Sequence, residues 1–434
     1  MSQDNIYRCL KLKFVSVPSG ATLKKRSSRS PSRSIALVLM IVIIVSASIG
    51  GYYLYARTLR SKNSTPVLSE TLRSPDPAKD EYFGISVATS GDLALVDDAR
   101  VPYGVNNTYV DNLTGGLANA YLFNASTGSY IRTLSSPPVL INGIHYSTVA
   151  LNRNTAVVGC VYYPQNGTTI GRVYVFNAST GDLLYTLKSP NSQSGGAFGY
   201  HMALGGDLLA VLAANSVDMY NASTGNLIRE IAIPVQQGSS DRSVAISGDL
   251  LAVGAVNDSG SIHVGTVYLF NASSGSLFRT FSDPAPSSSD QFGSVVAISG
   301  NKVAISAVGQ EIDGRVGKYG EVFVFDAPTG KLLLNFTSPD LNSSRMFGVS
   351  LAIDGNRLVV GESGSVQGNL GAGRVYLFDV KTGSLLGNLT SPNPEGNGDL
   401  GSSVSIDQNY VLVGAVSERV NSLLVVGNAY VYRV

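Results

Sequence analysis

Cysteine, histidine and charge are all scarce in this chain of 434 residues. The two cysteines, Cys9 and Cys160, lie far apart, so they form neither a disulfide framework nor a zinc-ligand pattern. The three histidines are equally dispersed and fit no metal spacing. Charged residues make up 14% of the chain, against about 25% in a typical soluble protein. With 44% hydrophobic residues and 47 glycines, the composition excludes wholesale disorder and favours a β-rich fold with many turns.

Recognisable catalytic constellations are missing as well. No Ser/His/Asp or Cys/His arrangement stands out, and Cys160 lies in the apolar run AVVGC, which is typical of a buried strand. We therefore predict no catalytic residue, no metal site and no cofactor.

Charge is distributed unevenly along the chain. Residues 1–56 carry eight Lys/Arg and one Asp, a net +7, whereas residues 57–434 carry 23 Lys/Arg and 29 Asp/Glu, a net −6. An acidic body disfavours nucleic acid as its partner.

A membrane anchor is predicted near the N-terminus. Residues 35–56 form an uncharged run of 22 residues, enough for a helix to cross a bilayer. Residues 1–34 then form a basic cytoplasmic tail, residues 57–66 a linker, and the positive-inside bias places the body outside the cell. This predicts a single-pass protein of the cell membrane. The alternative is a cleaved signal peptide, with Ser46-Ala47-Ser48 as the small-residue site.

Asn-X-Ser/Thr sequons support the external assignment, since all of them follow the predicted span. The alternative is that Asn, Ser and Thr are simply good turn formers. The glycosylation candidates are Asn63, Asn106, Asn112, Asn124, Asn166, Asn177, Asn221, Asn257, Asn271, Asn335, Asn342 and Asn388.

The body repeats one unit seven times. A motif such as YLFNASTG, from Tyr121, recurs at steps of 53, 44, 50, 55, 53 and 54 residues when aligned on its Asn or its equivalent. Periods of this length indicate propellers or solenoids. Each unit reads as four antiparallel strands, here called A to D, of which B is a continuous apolar run and C and D alternate.

The last unit ends at Val434 and lacks a strand D, while the segment 67–73 before the first unit resembles one. We therefore predict an all-β, seven-bladed β-propeller over 67–434, with four-stranded antiparallel blades. The N-terminal strand 67–73 would complete the last blade and leave no free edge.

The phrase FGxSVAISGDLLAVGA followed by GxVYLF resembles the FG-GAP repeat of integrin α-chain heads and prokaryotic surface proteins. Phe-Gly stands at 83–84, 198–199, 292–293 and 347–348, with Leu-Gly at 400–401. The resemblance covers nearly all of 67–434 and implies an extracellular propeller for recognition or adhesion. The family's calcium loop is reduced to turns such as SGD at 90–92, so we expect no calcium there.

Quinoprotein propellers share a similar turn, but their repeats, like sialidase boxes and WD repeats, need tryptophan, and this chain has none. Two alternatives to recognition remain open. One is a propeller enzyme, either carbohydrate-active or a quinone-type oxidoreductase. The other is a structural envelope component or assembly platform.

The D–A and B–C connections are long and differ from blade to blade, whereas the A–B and C–D turns are short and repetitive. We predict that the long loops form the binding face for a glycan, an envelope protein or a cell-surface partner. The candidate ligand-binding residues are Asp97, Asp98, Arg100, Tyr103, Tyr109, Asp111, Tyr162, Tyr163, Glu311, Asp313, Arg315, Tyr319 and Glu362.

Overall fold

A computed structural model describes most of the body of the chain. The described residues are 65–77, 82–98, 119–137, 143–164, 170–190, 198–234, 242–257, 264–287, 290–310, 319–340, 346–362, 371–393, 398–420 and 424–434. The predicted membrane span, 35–56, lies outside these ranges. None of the residues described forms a helix long and apolar enough to cross a membrane.

Seven four-stranded antiparallel sheets follow one another along the chain. The first strand is β1 (Val67–Leu72). Blade 1 contains β2 (Val87–Ser90), β3 (Leu93–Asp97), β4 (Asn119–Asn124) and β5 (Tyr130–Ser135). Blade 2 contains β6 (Gly143–Asn152), β7 (Thr155–Pro164), β8 (Ile170–Asn177) and β9 (Leu183–Leu187). Blade 3 contains β10 (Met202–Gly205), β11 (Leu208–Leu212), β12 (Ser216–Asn221) and β13 (Leu227–Ala232).

The remaining blades repeat this order. Blade 4 contains β14 (Arg242–Ser247), β15 (Leu250–Asn257), β16 (Val264–Asn271) and β17 (Leu277–Ser282). Blade 5 contains β18 (Phe292–Ser299), β19 (Lys302–Ala307), β20 (Glu321–Asp326) and β21 (Leu332–Thr337). Blade 6 contains β22 (Phe347–Asp354), β23 (Arg357–Glu362), β24 (Arg374–Asp379) and β25 (Ser384–Leu389). Blade 7 contains β26 (Leu400–Asp407), β27 (Tyr410–Ala415) and β30 (Asn428–Arg433), with a small hairpin of β28 (Arg419–Val420) and β29 (Leu424–Val425) between the last two.

The ring closes through its first strand. Strand β1 pairs antiparallel with β30, with Leu72 opposite Ala429 and Val67 opposite Arg433. It therefore serves as strand D of blade 7, and Leu72 is completely buried there. The predicted seven-bladed architecture and its closure by the N-terminal strand are confirmed. The closing pair joins segments more than 350 residues apart, so the first and last strands are held in one sheet.

The core is divided into layers between neighbouring blades. Each of the seven hydrophobic clusters found among the described residues combines side chains of two adjacent blades. In the layer between blades 1 and 2, Leu122 and Leu134 pack with Val158 and Phe176. Strands B and C are buried on both faces, which explains their continuous apolar runs. A single blade would leave both of its faces exposed to water.

The Phe-Gly pair forms the joint between blades. Phe292 is fully buried, and its ring lies 5.9 Å from the ring of Phe323 in the same blade. Gly293 follows with φ +91°, a conformation that favours glycine. The carbonyl of Gly293 accepts a hydrogen bond from Ser243 Oγ of the preceding blade at 3.0 Å. A Cβ on Gly254, also in that blade, would lie 2.0 Å from the same carbonyl oxygen. The recurring Phe and Gly residues therefore serve packing between blades.

Every strand D begins with a β-bulge. In blade 4, Phe270 pairs with Leu277 and Leu269 pairs with Arg279, so Phe278 is an extra, unpaired residue. The same shift occurs in the other blades. A bulge re-aims the side chains around it, and here two consecutive side chains of the outer strand face outward.

Candidate functional site

The connections of each blade lie at two opposite ends. The A–B and C–D turns lie together, as shown by the 2.7 Å hydrogen bonds from Ala125 N to Asp92 O and from Ala272 N to Asp249 O. We call this end the short-turn rim. The D–A and B–C connections meet at the other end, the long-loop rim, where the sequence predicts the binding face.

The base of the long-loop rim is built from equivalent positions in every blade. Near the loops, a strand B residue faces a strand C residue, as Glu362 faces Arg374 and Ala415 faces Asn428. Two residues further along strand C, five blades carry a tyrosine, in each case with a different polar neighbourhood. These tyrosines are Tyr121, Tyr174, Tyr268, Tyr376 and Tyr430.

In three consecutive blades, 6, 7 and 1, this tyrosine donates its hydroxyl to a buried carboxylate. We call the three pairs the carboxylate–tyrosine arc. The carboxylates are at most 1% exposed. A buried charge is tolerated only when it is paired or hydrogen-bonded, and here the phenols supply donors. The pairs are Glu362 with Tyr376, Glu418 with Tyr430, and Asp98 with Tyr121.

The blade 7 pair has the fullest network. Besides the Tyr430 hydroxyl, Glu418 accepts hydrogen bonds from Asn428 Nδ2 at 2.7 Å and from Ser391 Oγ at 2.5 Å. Its backbone oxygen accepts from Val426 N at 3.2 Å, which closes the B–C connection. Burial, together with the hydrogen bond to Glu418, raises the pKa of Tyr430. Glu418 therefore fastens both long connections of this blade to its strands.

Blade 6 fastens its connections with a charge pair. Arg374, the first residue of strand C, forms an ion pair with Asp340 on the preceding D–A connection. The hydrogen bond to Asp340 raises the pKa of the Arg374 guanidinium. Next to it, Tyr376 donates to Glu362 at 3.2 Å. The ion pair is part-exposed, so it contributes more to geometry than to stability.

Blade 1 carries two successive acids where most other units have a small residue. Asp97 occupies the strand B position that holds Gly254 in blade 4, and Asp98 follows it. Both are fully buried, and Asp98 accepts from Tyr121 at 3.0 Å. The backbone of Asp97 accepts from Gly84 N at 2.8 Å, so this acidic pair is held against the Phe-Gly joint.

Blade 5 has Phe323 at the tyrosine position, and several carboxylates lie near one another at this rim. Asp283 accepts a hydrogen bond from Ala285 N at 2.7 Å. Burial raises the pKa of Asp283 to about 6, and the charges of Asp290 and Glu321 act in the same direction. These acids lie where the D–A connection meets strand C.

Blades 2 to 4 differ from this arc. At the position equivalent to Glu362, these blades have small residues: Cys160, Ala213 and Ala255. Blade 3 has Asp218 at the tyrosine position, directly opposite Glu230 in the ladder. Burial raises the pKa of Asp218 to about 6, and the Glu230 charge adds to the effect.

The predicted ligand-binding residues fall into three groups. Asp97, Asp98 and Glu362 are buried at the base of the rim, and Tyr319 is half-buried, with its backbone oxygen accepting from Phe347 N at 2.8 Å. Tyr162 and Tyr163 lie in β7, where only the backbone is described. The others lie outside the described residues and stay predictions: Arg100, Tyr103, Tyr109, Asp111, Glu311, Asp313 and Arg315.

Sequence reasoning missed several polar residues of the same rim. Glu418, Glu321 and Asp283 were not singled out because each stands in a different part of its repeat. A usable signal was the Ser-Pro step after strand D. Asp283 replaces the serine there, whereas Ser391 retains it and donates to Glu418. Aligning the units on this step would have shown the blade-specific acids.

Histidine, cysteine and clustered carboxylates are the usual ligands of metal ions. Among these residues, no group of three His, Cys, Asp or Glu side chains could hold a metal ion. Burial lowers the pKa of His201 to about 4, so this histidine is neutral at physiological pH. Cys160 is fully buried in β7.

The sequons occupy two kinds of place. Four stand in C–D turns, where the asparagine Oδ1 caps the turn; Asn124 Oδ1, for example, accepts from Ser126 N at 2.9 Å. Asn335 and Asn388 are exposed on strands D. Asn257 ends β15, where only the backbone is described. Outside the described residues are Asn63, Asn106, Asn112, Asn166 and Asn342.

Four-stranded antiparallel blades in a closed ring of seven define a β-propeller. The family model for the FG-GAP repeat matches residues 282–325 and 334–378, each match running from the end or middle of one strand D to the next strand C. These two matches and the seven-bladed ring support an FG-GAP propeller similar to those of integrin α-chains. No curated protein is significantly similar to it. The fold suggests a role in ligand binding or adhesion.

Proposed function

We propose that this chain is a membrane-anchored propeller that recognises a glycan, an envelope protein or a cell-surface partner outside the cell. The carboxylate–tyrosine arc is the observation that carries the proposal. Three consecutive blades hold the bases of their long loops with buried, hydrogen-bonded carboxylates. Loops supported by rigid strands are the usual site of recognition on such scaffolds.

The arc has a supporting role in this proposal. Its carboxylates are buried, so ligand contact falls to the long connections of the same rim. These include the B–C connection of blade 1, with Tyr103 and Tyr109, and that of blade 5, with Asp313 and Arg315. Tyrosine with acidic and basic neighbours suits sugars and peptides by stacking and hydrogen bonding. The uncharged run 35–56 would anchor the propeller, and the linker 57–66 reaches at most about 33–36 Å.

The test is binding of the full chain, solubilised with its N-terminal segment, to intact parent cells and to their extracted surface glycans. The loop variant carries Tyr103→Ala and Tyr109→Ala. The matched control carries Lys331→Ala and Lys381→Ala, two exposed residues of the short-turn rim.

We expect saturable binding that the loop variant loses and the control keeps. Equal loss in both variants would remove the long-loop rim as the binding face. Absence of saturable binding at micromolar protein would overturn recognition and favour the envelope-platform or enzyme alternatives.

A further inference from the structure

The outer strands carry an unusual number of exposed apolar side chains. They occupy the strand D position just before the β-bulge and the bulged position itself, with exposures from 36% at Leu332 to 50% at Phe278. Exposed apolar side chains that recur at the same position in six successive blades need an explanation in a folded protein. We call it the apolar belt; its exposed members are Tyr130, Ile131, Leu183, Leu184, Leu227, Ile228, Leu277, Phe278, Leu332, Leu333 and Leu385.

One sequon accompanies the belt in each of blades 1 to 6. In blades 1 to 4 it stands in the C–D turn, immediately before the belt residues. Blades 5 and 6 have Asp326 and Asp379 at that turn position, and their sequons stand on strand D instead, at Asn335 and Asn388. The four turn asparagines are Asn124, Asn177, Asn221 and Asn271.

Turn formation explains only the first four positions. An aspartate caps the turn equally well, since Asp326 Oδ2 accepts from Thr329 N at 3.0 Å. Asn335 and Asn388 lie within strands, where asparagine is depleted. The equivalent strand position in blade 1 holds Thr133, which pairs with Tyr121 as Asn388 pairs with Tyr376. The sequon thus moves to the outer strand in the two blades whose turns have lost it.

Both kinds of position suit attachment through the side-chain nitrogen. The turn hydrogen bonds at Asn124 use its Oδ1, which does not engage the Nδ2 atom. Asn388 is exposed. Asn335 is also exposed, and its Nδ2 donates to Glu321 Oε1 at 2.5 Å. A substituted amide keeps one N–H, so this hydrogen bond and a glycan are chemically compatible.

We propose that these six asparagines carry N-linked glycans and that the glycans cover the apolar belt. Each amide nitrogen would bond to the anomeric carbon of a saccharide from a lipid-linked phosphate donor. The amide loses one proton, and the donor's phosphate group leaves with the bonding electron pair. Attachment is close to the belt: Asn124 N donates to Ser129 O at 2.9 Å, and Tyr130 is the next residue. The inference rests on the external location in the proposed function.

The first test is glycopeptide mass spectrometry on the full chain purified from membranes of its parent cells. We expect saccharide mass increments on the six sequon asparagines. The exposed asparagines Asn154 and Asn226, which lie at the same rim outside sequons, should carry none. Unmodified peptides at all six positions would overturn the inference, and so would increments confined to the four turn asparagines.

A second comparison separates glycan loss from damage to the strand. The variant Thr337→Ala plus Thr390→Ala removes the sequons of Asn335 and Asn388 without changing either asparagine. The variant Thr337→Ser plus Thr390→Ser keeps them. We expect loss of both increments and increased fluorescence of an apolar-surface dye for the alanine variant alone. Equal dye signals from both variants would show that glycans do not cover the belt.

Protease treatment of intact cells distinguishes this inference from the proposed function. A chain cleaved from outside but unmodified at the six asparagines would overturn only the glycan belt. A chain protected from the protease would overturn the external location and, with it, both proposals.

Discussion

The two rims of this propeller are formed by the ends of the same strands, but they differ in how much equivalent positions vary between blades. At the short-turn rim, the C–D turns of blades 1 to 4 repeat one Asx-capped turn. At the long-loop rim, equivalent positions differ between blades: Glu362 faces Arg374 in blade 6, whereas Ala255 faces Thr266 in blade 4. Residues that recur in every blade serve packing. Residues that differ between blades are the candidates for a blade-specific role.

This difference has a physical basis. The joints between blades require the same close approach each time, as where Ser350 Oγ donates to Gly401 O at 2.7 Å and Ser403 Oγ donates to Gly84 O at 2.7 Å. The long connections lie beyond these joints and need only be supported at their bases. Acids and tyrosines can therefore be placed in some blades and left out of others.

The largest expected effect comes from breaking a joint. In Gly254→Ala, the new Cβ would lie 2.0 Å from Gly293 O, backbone of the next blade. In the control Gly248→Ala, at the short-turn rim, the Cβ meets nothing within 4 Å but φ is +56°. We expect the first variant to lose about 3–5 kcal/mol of unfolding free energy and the second about 1 kcal/mol. Urea unfolding measures both losses. Equal losses would show that the close approach of Gly254 to Gly293 O does not limit packing between the blades.

The next effect tests ring closure, which no single repeat specifies. Leu72 is fully buried in the closing strand, whereas Val67 of the same strand is 60% exposed. We expect Leu72→Ala to cost about 3 kcal/mol, because it leaves a cavity between blades 7 and 1. Val67→Ala should cost at most about 0.5 kcal/mol. If chemical denaturation shows a small effect for Leu72→Ala, the N-terminal strand does not stabilise the closed ring.

A smaller effect compares the arc with the other blades. Tyr430 and Tyr268 occupy the same position of strand C, but Tyr430 donates to the buried Glu418 and Tyr268 donates to Pro234 O at 2.9 Å. We expect Tyr430→Phe to cost about 2 kcal/mol, because a buried carboxylate loses a donor. Tyr268→Phe should cost about 1 kcal/mol or less. Similar costs would mean that the arc is no stronger a support than an ordinary side chain–backbone bond.

Much of the fold could be predicted because its signals recur. Six copies of the C–D turn, a seventh copy of strand C and the resemblance of 67–73 to a strand D were enough to predict the blades and the closure. The base of the long-loop rim was harder to predict from the sequence. Asp97, Asp98 and Glu362 were noticed as acids near loops, yet their burial depends on strand register. Folding brings Ser391 and Tyr430 to Glu418, and these residues are distant in sequence. No local sequence pattern therefore predicts that they are partners.

The smallest effect concerns an acid outside the arc. Asp218 is buried opposite Glu230, and its pKa is raised to about 6. A carboxylate whose folded pKa exceeds its unfolded value destabilises the fold at high pH, and this penalty disappears as pH falls from about 6 to about 4. We expect Asp218→Asn to stabilise the protein on the order of 1 kcal/mol at pH 8. The gain should vanish by pH 4.

Thermal unfolding of variant and parent at each pH measures the difference, and because His201 titrates equally in both, its contribution cancels. A gain independent of pH would show that ionisation of the Asp218 carboxylate does not destabilise the folded protein. Blade 3 would then accommodate its buried acid at no greater cost than the arc does.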